Sequence, residues 1–229
     1  MTIVELREEM ETELTWRSDE LRMLKNNLAN IPKDNDKEKY RKSLIVMLYS
    51  HFEGYTKMCF LIYIKFINSK KLKRSTLKMK PELIASCMND VFKYYDDKDR
   101  KNKFFKRSLP DDKKIHALYR RVDLVNEFQT YLDEVLAIND DVINTESNLK
   151  SFVLAKNFYS IGIEHEIFKY YDKDIDKLVN LRNSIAHGSE KNGIKEEEYN
   201  KLEKIILKDI MNKLISVFEE EAKNIESVV

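Results

Sequence analysis

SLIVMLYSHFEGYTKMCFLIYIKFI, residues 43–67, is the most apolar stretch of the chain. It is long enough for a membrane span, but His51, Glu53, Lys57 and Lys65 interrupt it. A core helix tolerates such residues at its margins, whereas a lipid-facing one does not, so the stretch reads as the central helix of a folded domain. Leu44, Met47, Leu48, Phe52, Tyr55, Cys59, Ile62 and Phe66 step by three and four, as one buried helical face requires. The spacing predicts a helix over about 37–68. Gly54 interrupts it at a cost of ~1 kcal/mol against alanine, which predicts close packing against another helix, with the one bearing Arg182 as the candidate. Glu53 and Lys57 stand four apart and can pair within the helix.

Composition extends the same reading. Four glycines and three prolines in 229 residues leave few turns, which argues for long uninterrupted helices. A hydrophobic fraction of 42% fills a core, and a charged fraction of 35% covers it. A first helix is expected over about 3–29, ended by the turn NIPKDND, where Pro32 blocks continuation. Further helices are expected near 82–95, 115–137 and 147–160. Another, capped by Asp172 or Asp174, ends at Gly188. A last one over 195–225 carries a stripe of Leu202, Ile205, Ile206, Asp209, Ile210, Lys213 and Val217. The stretch YYDDKDRKNKFFKRSLPDD, residues 94–112, reads as a loop. The expectation is all-α: one domain over residues 1–229, a helical bundle with an irregular, basic insertion at about 70–145.

The net charge of +1 hides an asymmetry. Residues 65–80 hold seven basic side chains and no acidic one, and residues 65–107 hold 14 basic against five acidic. Such a face suits a polyanion; the plainer alternative is a solvated helix surface plus a loop. Lys70, Lys71, Lys73, Arg74 and Lys78 are the candidate contacts to such a polyanion, provided that the tract lines the same cleft as His187. Tyr94, Tyr95, Phe104 and Phe105 are candidates for stacking unpaired bases, or simply pack under the loop. Cys59 and Cys87 have no CxxC partner and no histidine at ligand spacing, so they read as free thiols in a reducing cytoplasm. No metal or cofactor site is expected, and the acidic start MTIVELREEMETEL lacks a signal-peptide layout. His116 and His165 read as surface or satisfied histidines.

LRNSIAHG, residues 181–188, is the candidate reaction centre. Arg182 falls on the stripe of Ile175, Leu178 and Val179 that otherwise faces the core, so its guanidinium must be paired, snorkelling or facing a groove. His187 stands in the last turn, where it can hold or release a proton. Asn183, four residues earlier, shares its face. Arg182, Asn183 and His187 form a set able to grip a phosphate and move a proton. On spacing alone, a capping histidine and a surface arginine is the plainer reading.

The motif Arg182-Asn183-Ser184-Ile185-Ala186-His187, preceded by LVNL and followed by Gly188, resembles the R-x(4–6)-H hallmark of the HEPN superfamily (higher eukaryotes and prokaryotes nucleotide-binding). YSHFEGYTK at 49–57 and WRSDELRML at 16–24 resemble helices of its RiboL-PSP-like, or MAE-type, nuclease branch. The likeness covers the start, the second helix and the last third of the chain; residues 70–145 match nothing of it. The resemblance implies a homodimeric helical bundle in which two R-x4-H helices meet in one cleft. It implies metal-independent RNA cleavage, with tRNA or mRNA as substrate and an antitoxin or antiphage-defence protein as partner. His187 would then be base and acid, Arg182 would stabilise the charged phosphate, and Asn183 would orient the histidine or bind phosphate. The polyanion met by Lys70, Lys71, Lys73, Arg74 and Lys78 would be RNA. His51, Glu53 and Lys57 would support the site. The alternative is a non-catalytic HEPN module that binds RNA, nucleotide or protein; a third is a helical interaction protein in which Arg182 and His187 are structural. In toxins of this superfamily paired with nucleotidyltransferase antitoxins, a modifiable tyrosine follows the histidine by two residues; here that position is Ser189, which argues against that silencing route.

Overall fold

The computed structural model describes residues 1–77, 80–105 and 113–227. Among them run nine α-helices: α1 (Ile3–Asn26), α2 (Asp34–Ser69), α3 (Pro81–Ser86), α4 (Asn89–Asp96), α5 (Lys113–Asp133), α6 (Ser151–Ser160), α7 (Asp172–Ala186), α8 (Glu196–Glu203) and α9 (Asn212–Glu226). Among the described residues there is no β-strand, only a single antiparallel bridge between Lys73 and Val135. The all-α expectation holds. No helix among the described residues is long and apolar enough to cross a membrane.

Helix α2 is the axis of the bundle, and α1, α7 and α9 pack against it. The sequence pattern marks one buried face, yet Ile45, Phe60, Tyr63, Ile64 and Ile67 are also buried. A helix packed on several sides buries more than a single stripe. Phe60 centres an aromatic cluster, its ring 4.9 Å from Phe158 of α6 and 5.2 Å from Phe218 of α9. At the start of α1, the Thr2 hydroxyl accepts from the Glu5 N–H at 3.1 Å and the Glu5 carboxylate accepts from the Thr2 N–H at 2.7 Å. That reciprocal capping box satisfies two donors the helix leaves open.

Several boundaries differ from the sequence expectation for local reasons. The helix expected over 82–95 is two, α3 and α4, parted at Cys87, whose carbonyl lies 3.5 Å from the Arg74 guanidinium. Helix α6 begins at Ser151 and not at 147, because Glu146 and Ser147 take φ of 54° and 57°. A right-handed helix cannot pass through two such residues. Asp172 and Asp174 lie inside the first turn of α7 and do not cap it; there they meet the positive helix end. Between α8 and α9, residues Lys204–Met211 form a π-helical stretch. The wider turn re-phases the apolar stripe, so Met211, Leu214 and Phe218 face inward while Lys213 is exposed.

Within the insertion, Arg74 is buried, donating to the Tyr131 carbonyl at 2.8 Å and the Glu134 carboxylate at 2.5 Å. His116 is not exposed: it is buried, and neither ring nitrogen has a hydrogen-bond partner among the described residues. His165 is exposed, 3.4 Å from the Glu164 carboxylate. Cys59 and Cys87 are free, and burial pushes the Cys59 thiol up to about 12. Residues 97–104 of the expected loop run as turns, and its end at 106–112 lies outside the described residues.

Candidate active site

Helix α7 turns Ile175, Leu178 and Val179 into the core and brings Arg182 up beside α2. The guanidinium carbon lies 4.0 Å from the Tyr49 ring centroid. Its Nη2 donates to the Ser147 carbonyl at 2.9 Å, and its Nε is buried without a partner among the described residues. A planar cation over an aromatic face is attracted by the ring quadrupole. Asn183 does not turn to His187; its Nδ2 donates to Asn148 Oδ1 at 3.0 Å. Arg182 and Asn183 are therefore both held by one segment, residues 147–148.

His187 ends α7 and is exposed. Gly188, at φ 73°, donates its N–H to the Ile185 carbonyl, and Ser189 donates to the Ser184 carbonyl at 2.9 Å. Those two bonds are a Schellman closure, which needs the left-handed residue that glycine provides without strain. The chain then runs along the start of α2: Lys42 donates to the Glu190 carbonyl at 2.5 Å, and Ile194 donates to the Glu38 carbonyl at 2.9 Å. His187 is thus set near the N-terminal half of α2.

The spacing of apolar residues does not mark Tyr49, although it opens the stretch YSHFEGYTK. It is buried, and its hydroxyl accepts from the Leu149 N–H at 2.8 Å. Burial pushes that hydroxyl above its ordinary value, while the Leu149 donor and Arg182 pull the other way. The segment it anchors is also tied to α6. Asn157 Oδ1 accepts from the Asn144 N–H, and Asn157 Nδ2 donates to the Asn144 carbonyl, each at 2.9 Å. Nothing in the spacing of residues 144–149 marks them as neighbours of Arg182; the only signal is a run of Asn, Thr and Ser, types that accept turn geometry.

His51 points elsewhere. Two residues along a helix turn a side chain through about 200°, so His51 faces α1 while Tyr49 faces α7. His51 is buried edge-on to Trp16 at 5.4 Å, and its Nε2 lies 3.0 Å from the Glu20 carboxylate without hydrogen-bond alignment. Gly54 also faces α1 and not the helix of Arg182: a Cβ there would lie 3.5 Å from the Arg17 guanidinium. Arg17 is itself buried, its guanidinium 4.2 Å from the Trp16 ring. Glu53 and Lys57 do not form an ion pair with each other; Lys57 is exposed, and Glu53 raises the Tyr49 hydroxyl through its charge.

The basic tract lies at the other end of α2. At 1.5 Å per residue, Ser69 is about 30 Å along the axis from Tyr49, so tract and motif do not share a cleft within one chain. Lys65 pairs with Glu9 at 2.7 Å, Lys70 with Glu226 at 2.5 Å and Lys80 with Glu221 at 2.6 Å. Arg74 is buried as described. Lys71 and Lys73 are exposed without an ion pair among the described residues, and Lys78 lies outside them. Tyr94 and Phe104 are exposed; Tyr95 and Phe105 are half-buried. Among the described residues no cluster of His, Cys, Asp and Glu is placed to hold a metal ion.

No curated protein and no solved structure matches the chain. The family model RiboL-PSP-HEPN matches residues 12–220, a span that takes in most of α1, all of α2, the insertion and α7, and most of α9. That match points to an RNA-related function. With nearly the whole chain aligned, from before Trp16 to beyond His187, the protein belongs to the RiboL-PSP-HEPN family.

Proposed function

We propose that this protein is a metal-independent endoribonuclease, a toxin or antiphage-defence effector of the cytoplasm, whose site is completed by a second copy of the chain. The observation that carries the reading is the arrangement of Arg182 and His187. The guanidinium is held over the Tyr49 ring and by the Ser147 carbonyl, and the imidazole is exposed five residues further along the helix. One His187 takes the proton from a ribose 2′-hydroxyl as that oxygen bonds to phosphorus. The P–O5′ bond breaks, and the second copy's His187 gives the leaving oxygen its proton. Arg182 stabilises the charge on the pentacoordinate phosphate. The products are a 2′,3′-cyclic phosphate and a 5′-hydroxyl. Substrate is RNA, tRNA or mRNA, with Lys71 and Lys73 as distant phosphate contacts; an antitoxin or defence-system protein is the natural partner.

The test is incubation of wild type, Arg182→Ala and His187→Ala with end-labelled RNA in excess EDTA, mapping the 3′ ends. Cutting by wild type alone, with cyclic phosphate ends, is the expected result. Light scattering should show a dimer at micromolar concentration.

A second reading, a non-catalytic HEPN module that binds RNA, nucleotide or a partner protein, draws on one observation. Arg182 and Asn183 already have protein partners in Ser147 and Asn148. Silence of all three proteins in the EDTA assay, with RNA or partner binding retained, selects it.

A further inference from the structure

Arg182 has a long side chain, and helix α7 alone does not fix where its guanidinium sits. What fixes it comes from two other places. Helix α2 supplies the Tyr49 ring, and the segment before α6 supplies the Ser147 carbonyl. That segment is strained. Glu146 and Ser147 are consecutive left-handed residues, and neither is glycine. Such geometry persists only where surroundings over-determine it. Here they do: Asn157 holds Asn144 at both backbone polar atoms, Lys156 pairs with Glu146, and the Tyr49 hydroxyl takes the Leu149 N–H. The left-handed pair turns the Ser147 carbonyl to Arg182, and Asn148, next in sequence, reaches Asn183. Tyr49 touches both sides, its ring under Arg182 and its hydroxyl on the segment.

We propose that Tyr49 and the segment Glu146–Asn148 form the positioning device of the motif. They hold Arg182 and Asn183 before RNA arrives. None of these residues touches the reacting atoms; they act through Arg182 and Asn183. The inference rests on the ribonuclease reading for its effect on rate, but the holding of Arg182 can be read without any activity.

The experiment compares wild type, Tyr49→Phe, Tyr49→Leu and Asn148→Ala on two readouts. The first is single-site labelling by phenylglyoxal, followed at the Arg182 peptide by mass spectrometry with exposed Arg7 as reference. The second is steady-state RNA cleavage in EDTA. Tyr49→Leu is expected to label Arg182 several-fold faster and to lower kcat about 10- to 100-fold with KM little changed, as misplacement of a phosphate-binding group does. Tyr49→Phe keeps the ring and loses the hydroxyl, with its Leu149 bond and its interaction with Arg182, so its losses are smaller on both readouts. Asn148→Ala frees Asn183 and falls between them. Should Tyr49→Leu fail to fold by circular dichroism, the other two variants carry the test. Unchanged Arg182 labelling in the folded variants overturns the device, and so does labelling that rises while kcat stays at the wild-type value. A wild type that never cuts RNA overturns the ribonuclease reading alone; faster labelling of the variants then still establishes that Tyr49 and the segment hold Arg182.

Discussion

Arg182 of α7 lies over the ring of Tyr49 of α2, guanidinium carbon to ring centroid 4.0 Å. This explains how a cation sits on a stripe that otherwise faces the core. Planarity is what the stack uses, and lysine lacks it. Arg182→Lys is expected to keep the charge and lose both the stack and the Ser147 bond. In urea unfolding it should cost ~1 kcal/mol. In the EDTA assay it should cut RNA as poorly as Arg182→Ala; wild-type cleavage by the lysine variant would show that charge alone suffices.

Two glycines beyond the motif separate strain from clash. At Gly188 a Cβ would meet nothing within 4 Å, but φ is 73°. Gly188→Ala should cost ~1–2 kcal/mol, the penalty of a left-handed alanine. At Gly193 the backbone is ordinary, but a Cβ would come within 2.8 Å of the Glu38 carbonyl carbon. Gly193→Ala should cost ~2–3 kcal/mol through the shift it forces, and should loosen the chain that follows His187 from α2. Denaturant midpoints order the two; the reverse order would mean that the 189–195 segment yields more readily than its packing indicates.

In the basic tract, some cations hold the fold and others face solvent. Arg74→Ala removes a buried guanidinium that serves two carbonyls and Glu134, so a loss of ~2–3 kcal/mol in unfolding free energy is expected. Lys71→Ala and Lys73→Ala should change stability by less than ~0.5 kcal/mol. Removing one phosphate-binding charge should lower the salt slope of RNA binding by roughly one. A slope equal to wild type in the double lysine variant would remove the tract from the RNA surface.

Burial against Trp16 lowers the His51 pKa below its ordinary 6.5, with Arg17 adding to the effect and Glu20 opposing it. A histidine with a depressed folded-state pKa binds fewer protons folded than unfolded. Its contribution is present above about pH 6.5 and is lost as the pH falls through the folded value. Stability should therefore decline on acidification below that point, and His51→Gln should flatten the decline. Thermal melts of both proteins between pH 5 and 8 check the sign, since a raised pKa would make the wild type gain stability on acidification.

Much of the fold can be read along the chain because its information is local and periodic. Scarce glycine and proline, and apolar residues three and four apart, mark α1, α2, α7 and the last helix within a few residues. The motif is equally legible, since Arg182 and His187 share one helix and Gly188 announces its end. What escapes such a reading is whatever depends on how helices are wrapped. The pattern of α2 shows one face, but packing by α1, α7 and α9 buries more than that face. The π-helical stretch, a change of phase without a residue type that marks it, moves the last stripe.

At the site the division is sharper. Sequence alone determined that an arginine, an asparagine and a histidine lie along one helix that must close at glycine, because helical periodicity and backbone sterics act within a few residues. Only the tertiary structure decided what those side chains meet. It set His51 and Gly54 against α1, since neighbours on a helix diverge by 100° each. It spent Lys70, Arg74 and Lys80 on ion pairs or buried bonds, since their partners come from residues remote in the chain. And it laid Arg182 between Tyr49 and Ser147, residues 133 and 35 positions away, because a stack and a carbonyl bond depend on where two backbones cross, which no spacing within either segment encodes.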